Sequence, residues 1–175
     1  MTTSSRTFVL AMAVAFMLSP VAGRAADTTS APTPAIYDTL ANTQAQIDSA
    51  IARSRDTHRN VLIQWGANWC IWCRLLHGML TTDSALSAML DSNYVWVLAD
   101  VGVKGKNAEL LAKYGVDRAR GIPFLTVLDS GGKVIANQET GGLETGDKEV
   151  KGHDRSKVLA FLNSHTPAPP RGGRP

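Results

Sequence analysis

The chain has 175 residues, a length that suits one domain, and its hydrophobic fraction of 44% is that of an ordinary globular protein. The formal net charge of +3 gives no argument for a nucleic-acid partner or an anionic membrane surface. Cys70 and Cys73 are the only cysteines, which excludes a four-cysteine zinc site and leaves none for a second disulfide.

The N-terminus reads as a secretory signal. Arg6 precedes an unbroken apolar run from Phe8 to Leu18, which Ser19-Pro20 ends. That run is shorter than the roughly 20 residues a membrane span needs and matches a signal-peptide core. Small residues around Gly23-Arg24-Ala25 place the expected cleavage after Ala25. Loss of Arg6 and Arg24 brings the net charge to about +1. The organisation expected is a signal peptide over 1–25, a flexible leader over 26–35, a folded domain over 36–165, and a Pro/Gly tail over 166–175.

Within the domain, Ile36, Leu40, Ile47 and Ile51 recur at helical spacing and predict a helix from Ile36 to about Ser54. Val61-Leu62-Ile63 and Trp65, between Asn60 and Gly66, predict a buried strand. Asn68 is placed to cap a helix that starts at the cysteine pair and runs to about Leu80. Asp83 opens a further helix with Leu86, Met89 and Leu90 on one face. Tyr94 to Val101 predicts a strand, and Asn107 caps a short helix that Gly115 stops. Phe124 to Leu128 and Lys133 to Asn137 form a hairpin about the Asp129–Gly132 turn. Asp154 caps a last helix that buries Val158, Leu159, Phe161 and Leu162. This order implies an α/β fold: a mixed central sheet, parallel early and antiparallel late, with helices on both faces.

Trp69-Cys70-Ile71-Trp72-Cys73 carries the chemistry. A Cys-x-x-Cys pair can close and reopen a small disulfide ring, or hold a soft metal ion. A purely structural bridge is the third reading, although so small a ring constrains little chain. His58, His153 and His165 form no cluster with the pair.

A Trp-Cys-x-x-Cys motif after a buried strand, opening a helix, resembles thioredoxin. So do Tyr114-Gly115-Val116, Gly121-Ile122-Pro123-Phe124-Leu125 and the Gly131-Gly132-Lys133-Val134 hairpin. The likeness runs from about Asn60 to Leu162, and exported WCxxC members with a leading helix resemble this chain best. It implies a thioredoxin fold with an extra N-terminal helix and an exported thiol–disulfide oxidoreductase, periplasmic or secreted, that leans towards reduction. By the same resemblance Cys70 attacks, Cys73 resolves, and Pro123 is a cis proline beside the pair. Ile122 then offers its backbone to a client, and Trp69 covers the site. Partners would be proteins with thiols or disulfides and a membrane electron donor of the DsbD type, with no cofactor beyond the redox disulfide.

Several positions depart from or extend that pattern. Ile71 and Trp72 between the cysteines carry no titrating group, and Trp72 reads equally as a client surface or as a side chain turned into a groove. Gln64 stands six residues before Cys70, where thioredoxin has a buried acid, and glutamine accepts no proton at neutral pH. Arg74 reads as a charge near the thiolate or as a solvated helix residue. His77, one turn past Cys73, reads as a proton shuttle, a helper ligand or an ordinary histidine. A Cu(I) metallochaperone and a non-catalytic client-binding protein are the alternative functions, although no metal site is expected.

Overall fold

The computed structural model describes residues 34–168 except residue 148. The expected signal peptide, all but the end of the leader, and the last residues of the tail lie outside the described residues. Helix α1 spans Thr43–Thr57, strand β1 Asn60–Gly66, α2 Ile71–Thr82, α3 Ser84–Asn93 and β2 Tyr94–Asp100. Helix α4 follows over Ala108–Lys113, then β3 Phe124–Leu128, β4 Val134–Glu139 and α5 Arg155–Ser164.

The four strands lie in the order β2-β1-β3-β4. Strand β1 runs parallel to β2 and antiparallel to β3, and β4 is antiparallel to β3. All seven residues of β1 are buried, because helices cover both faces and leave a continuous dry strand rather than an alternating one. Val61, Ile63 and Trp65 pack with Ile47 and Ala50 of α1 and Leu111 of α4. Leu62 faces the other way, with Leu76 and Leu80 of α2, Leu86 and Leu90 of α3, and Val158, Phe161 and Leu162 of α5. Alternation along β1 places Gln64 on the α2 side too, as a polar residue in a dry layer.

Three local expectations are corrected. Helix α1 starts at Thr43 rather than Ile36, because the Asn42 side chain accepts from the Ala45 amide at 3.0 Å and ends the non-helical stretch before it. Residues 34–42 form a bent, non-helical strap instead, and Leu40 is 95% exposed rather than on a buried face. Asn107 sits in the left-handed region at φ 57° and makes no cap bond; its amide donates to Asp100 O and Thr43 Oγ1. Asn68 does not cap α2, and Cys70 occupies that position.

Asp83 closes α2 and caps α3, accepting from the Ala85 and Leu86 amides at 3.0 Å each. It also accepts from Arg155 Nε at 2.6 Å. The Arg155 guanidinium, then these amides, hold its carboxyl below the usual carboxylate range. A carboxyl depressed in the folded state stabilises above its unfolded pKa and loses that contribution as pH falls through the folded value. Asp83→Asn should therefore lower stability at neutral pH, and the gap from wild type should close as urea melts move to acid. A gap independent of pH would show that the carboxylate charge is immaterial.

Candidate active site

Strand β1 ends at Gly66, and Ala67-Asn68-Trp69 turn the chain into α2. Cys70 is the N-cap of that helix at φ −79°, ψ 109°, and its Sγ accepts from the Cys73 amide at 3.1 Å. Free N–H groups at this end favour an anionic sulfur. Cys70 and Cys73 are disulfide-bonded, with Cα atoms 5.2 Å apart. Cys70 keeps 5% exposure and Cys73 none, since Leu76 and Leu80 draw the following turns into the core. The half of the pair open to solvent is Cys70.

The start of β3 supplies the opposite wall. The Ile122–Pro123 peptide is cis, and Ile122 O lies 3.5 Å from Cys70 Sγ. Thr140 Oγ1 donates to Pro123 O at 2.6 Å and anchors this turn. The Ile122 carbonyl therefore borders the disulfide.

Beneath the sulfurs the structure holds a group that sequence reasoning missed. Tyr37 of the strap is 2% exposed and packs with Ala67, Cys70 and Cys73. Gln64 Nε2 donates to the Tyr37 hydroxyl at 2.7 Å and to Cys73 O at 3.3 Å, while its Oε1 has no partner among the described residues. A Cβ on Gly66 would collide with the Tyr37 hydroxyl and come 2.9 Å from Cys73 Sγ. Phenol and sulfur thus share the small space that the missing side chain leaves.

Asn68 holds the strap there. Its Oδ1 accepts from the Ile36 and Tyr37 amides at 2.8 and 2.9 Å, and its Nδ2 donates to Tyr37 O at 2.9 Å. Arg74 Nε donates to Asn68 O at 2.7 Å and its Nη1 to Pro34 O at 2.9 Å. The guanidinium ties the strap to α2 rather than standing free beside a sulfur. Tyr37 escaped notice because it falls between the apolar positions that suggested a helix. The one available signal was Asn68, a three-way hydrogen-bonding side chain two residues before Cys70.

The aromatic residues divide differently from their sequence positions. Trp69 is 68% exposed and Ile71 56%, and Trp69 Nε1 donates to Gly102 O at 3.1 Å. Trp72 is half-buried, packs against the cluster of Tyr37, Ala67, Cys70 and Cys73, and meets the His153 ring edge-on at 5.8 Å. His77 stacks on Trp96 with centroids 5.1 Å apart; burial, then Arg74, lowers its pKa. Among the described residues no three His, Cys, Asp or Glu side chains are placed to share a metal ion.

Gly66→Ala tests how tightly this space is filled. Tyr37 cannot retreat while Asn68 clamps its backbone, so the methyl group should cost about 1–3 kcal/mol of stability by overpacking. Urea unfolding of the oxidised protein reads this, and an unchanged midpoint would mean that the pocket is loose.

The chain matches the family model described as Thioredoxin-like over residues 41–130. It is similar to the crystal structure of a disulphide isomerase from Xylella fastidiosa Temecula1, at 30% identity over 75% of this chain and 96% of that one, with a TM-score of 0.64. Over 58 residues it is 38% identical to the thiol:disulfide interchange protein DsbD 1 of Pseudomonas aeruginosa, which is 33% of this chain. The chain spans only a tenth of that curated relative's length. The oxidised C-terminal domain of Neisseria meningitidis DsbD shares the fold, with a TM-score of 0.52 at 16% identity over 71% of this chain and 96% of that domain. A mixed sheet of this order, a cis proline facing a Cys-x-x-Cys helix cap, and these matches agree, and the chain belongs to the thioredoxin-like family.

Proposed function

We propose that the protein is a thiol–disulfide oxidoreductase that exchanges electrons with protein disulfides through Cys70 and Cys73, working mainly as a reductase in the periplasm or outside the cell. The observation that carries this reading is the unequal placement of the two sulfurs. Cys70 lies at a helix N-terminus with slight exposure, and Cys73 lies buried behind it. A thiolate at Cys70 attacks one sulfur of a client disulfide, forms a mixed disulfide and releases the first client thiolate. Cys73, as thiolate, then attacks Cys70 Sγ, closes the ring and releases the second. Two electrons pass to the client, which leaves as a dithiol.

The residues around the pair suit an extended client. The backbone at Ile122 faces Cys70 Sγ and can pair with a client strand. Trp69 and Ile71, on either side of Cys70 in the chain, expose apolar surface, which favours partly unfolded chains as substrates. The Xylella relative is described as a disulphide isomerase, and isomerisation uses the same attack by Cys70 without the release by Cys73. Reductive turnover needs a source of two electrons. The partial match to the DsbD relative supports a membrane donor of that type, and the apolar run from Phe8 to Leu18 supports export.

Reduction of insulin by dithiothreitol should accelerate with the wild type and fall to the uncatalysed rate in Cys70→Ala. Cys73→Ala should accumulate mixed disulfides with clients and retain refolding activity on a scrambled disulfide protein. A wild type no faster than background in both assays would overturn the reading.

A further inference from the structure

Thioredoxins place a buried acid where this chain has Gln64, and a glutamine takes no proton from the resolving sulfur. Yet Cys73 has no exposure, and an anionic sulfur without partners in such a site is costly. Something must favour its thiolate if the ring is to close.

The groups at hand are few. The Gln64 amide spends both hydrogens, on the Tyr37 oxygen at 2.7 Å and on Cys73 O at 3.3 Å. The second contact fixes the amide's orientation, since the reverse would set oxygen against oxygen. The Tyr37 oxygen is therefore an acceptor from Gln64, and its own proton points elsewhere. Among the described residues that proton has no other acceptor, and the Cys73 sulfur borders the same space over Gly66. Accepting from Gln64 polarises the O–H bond and makes it a better donor.

We propose that the Tyr37 hydroxyl donates a hydrogen bond to Cys73 Sγ when the disulfide opens, and stabilises the thiolate that closes the ring. This rests on the redox reading of the pair and gives it a residue from outside the cysteine motif. Tyr37 keeps its proton throughout. Burial is the largest effect on the phenol and pushes it well above the ordinary tyrosine value, the Gln64 bond opposes this, and the charge of Asp100 adds to it. The nearby charges are otherwise spent: Asp100 pairs with Lys106 Nζ at 2.6 Å, and Arg74 is bound to strap and loop carbonyls. The Cys73 proton leaves to water, and the tyrosine stabilises the anion left behind without accepting that proton. Asn68 is the positioning residue, because its three bonds fix the backbone that carries the phenol.

Cys70→Ser leaves Cys73 as the sole thiol, so its ionisation can be followed alone by thiolate ultraviolet absorbance. Adding Tyr37→Phe keeps the ring and removes the donor. The Cys73 pKa should rise by about one unit, a tenfold loss of thiolate at a pH below both values, as expected for one hydrogen bond to a charged group. A fluorinated tyrosine at position 37, a stronger donor of nearly the same shape, should move the pKa down and guards against misfolding of the Phe variant. An unchanged Cys73 pKa in both variants overturns the proposal. The readout needs no client: a tyrosine-dependent pKa in a protein inactive on insulin would sink the redox reading alone, and an active protein with an unmoved pKa would sink this inference alone.

Discussion

Strand β1 is dry along its whole length, and the site depends on that constraint. Helices on both faces and a strand on each side leave it no freedom of register. Its odd residues fill one layer, its even residues the other, and Gln64 is thereby forced to meet α2 at Cys73. Its last residue, Gly66, has no side chain where the strand passes beneath the disulfide. The turn that follows has to place Cys70 at the head of α2, and Asn68 within that turn reaches back to fix Tyr37. The cysteines, the amide and the phenol are brought together by one strand and its exit.

The layers were legible in the sequence because apolar pattern and topology agree. Val61 to Trp65 and Phe124 to Leu128 read as strands and are strands, the strand read over Tyr94 to Val101 ends at Asp100, and Asp83 and Asp154 cap the helices they precede. The cysteine motif and Ile122-Pro123 could be placed in advance because both belong to short motifs. The strap could not. Ile36 and Leu40 fit a helical period by coincidence, and beside the local bonds of Asp38 to the Leu40 and Ala41 amides, the bonds that hold residues 34–42 in place come from Asn68, Arg74 and Lys106, distant in sequence. Long-range side-chain bonds to backbone leave no periodic trace. The same blindness gave Asn68 and Asn107 capping roles, since a cap and a tertiary clamp use the same side chain.

The pocket under the sulfurs also changes what Gln64 means. Considered alone, it is the loss of an acid. Beside Tyr37 it is a donor that leaves a phenolic proton free, so the site replaces proton transfer with hydrogen bonding. An acid that accepts the proton of Cys73 would tie ring closure to its own titration. A phenol held above the physiological range contributes the same bond across neutral pH. Trp72 meets the His153 ring and Trp69 bonds Gly102 O, while Trp69 and Ile71, on either side of Cys70 in the chain, stay exposed.

As a redox site, Cys70 and Cys73 must form a reversible pair rather than a fixed bridge. Equilibration with glutathione, scored as the fraction of oxidised protein, tests it most directly. A reversible pair should show a standard potential between about −270 and −120 mV, towards the lower end for a reductase. A potential below about −300 mV, where structural disulfides lie, would contradict it.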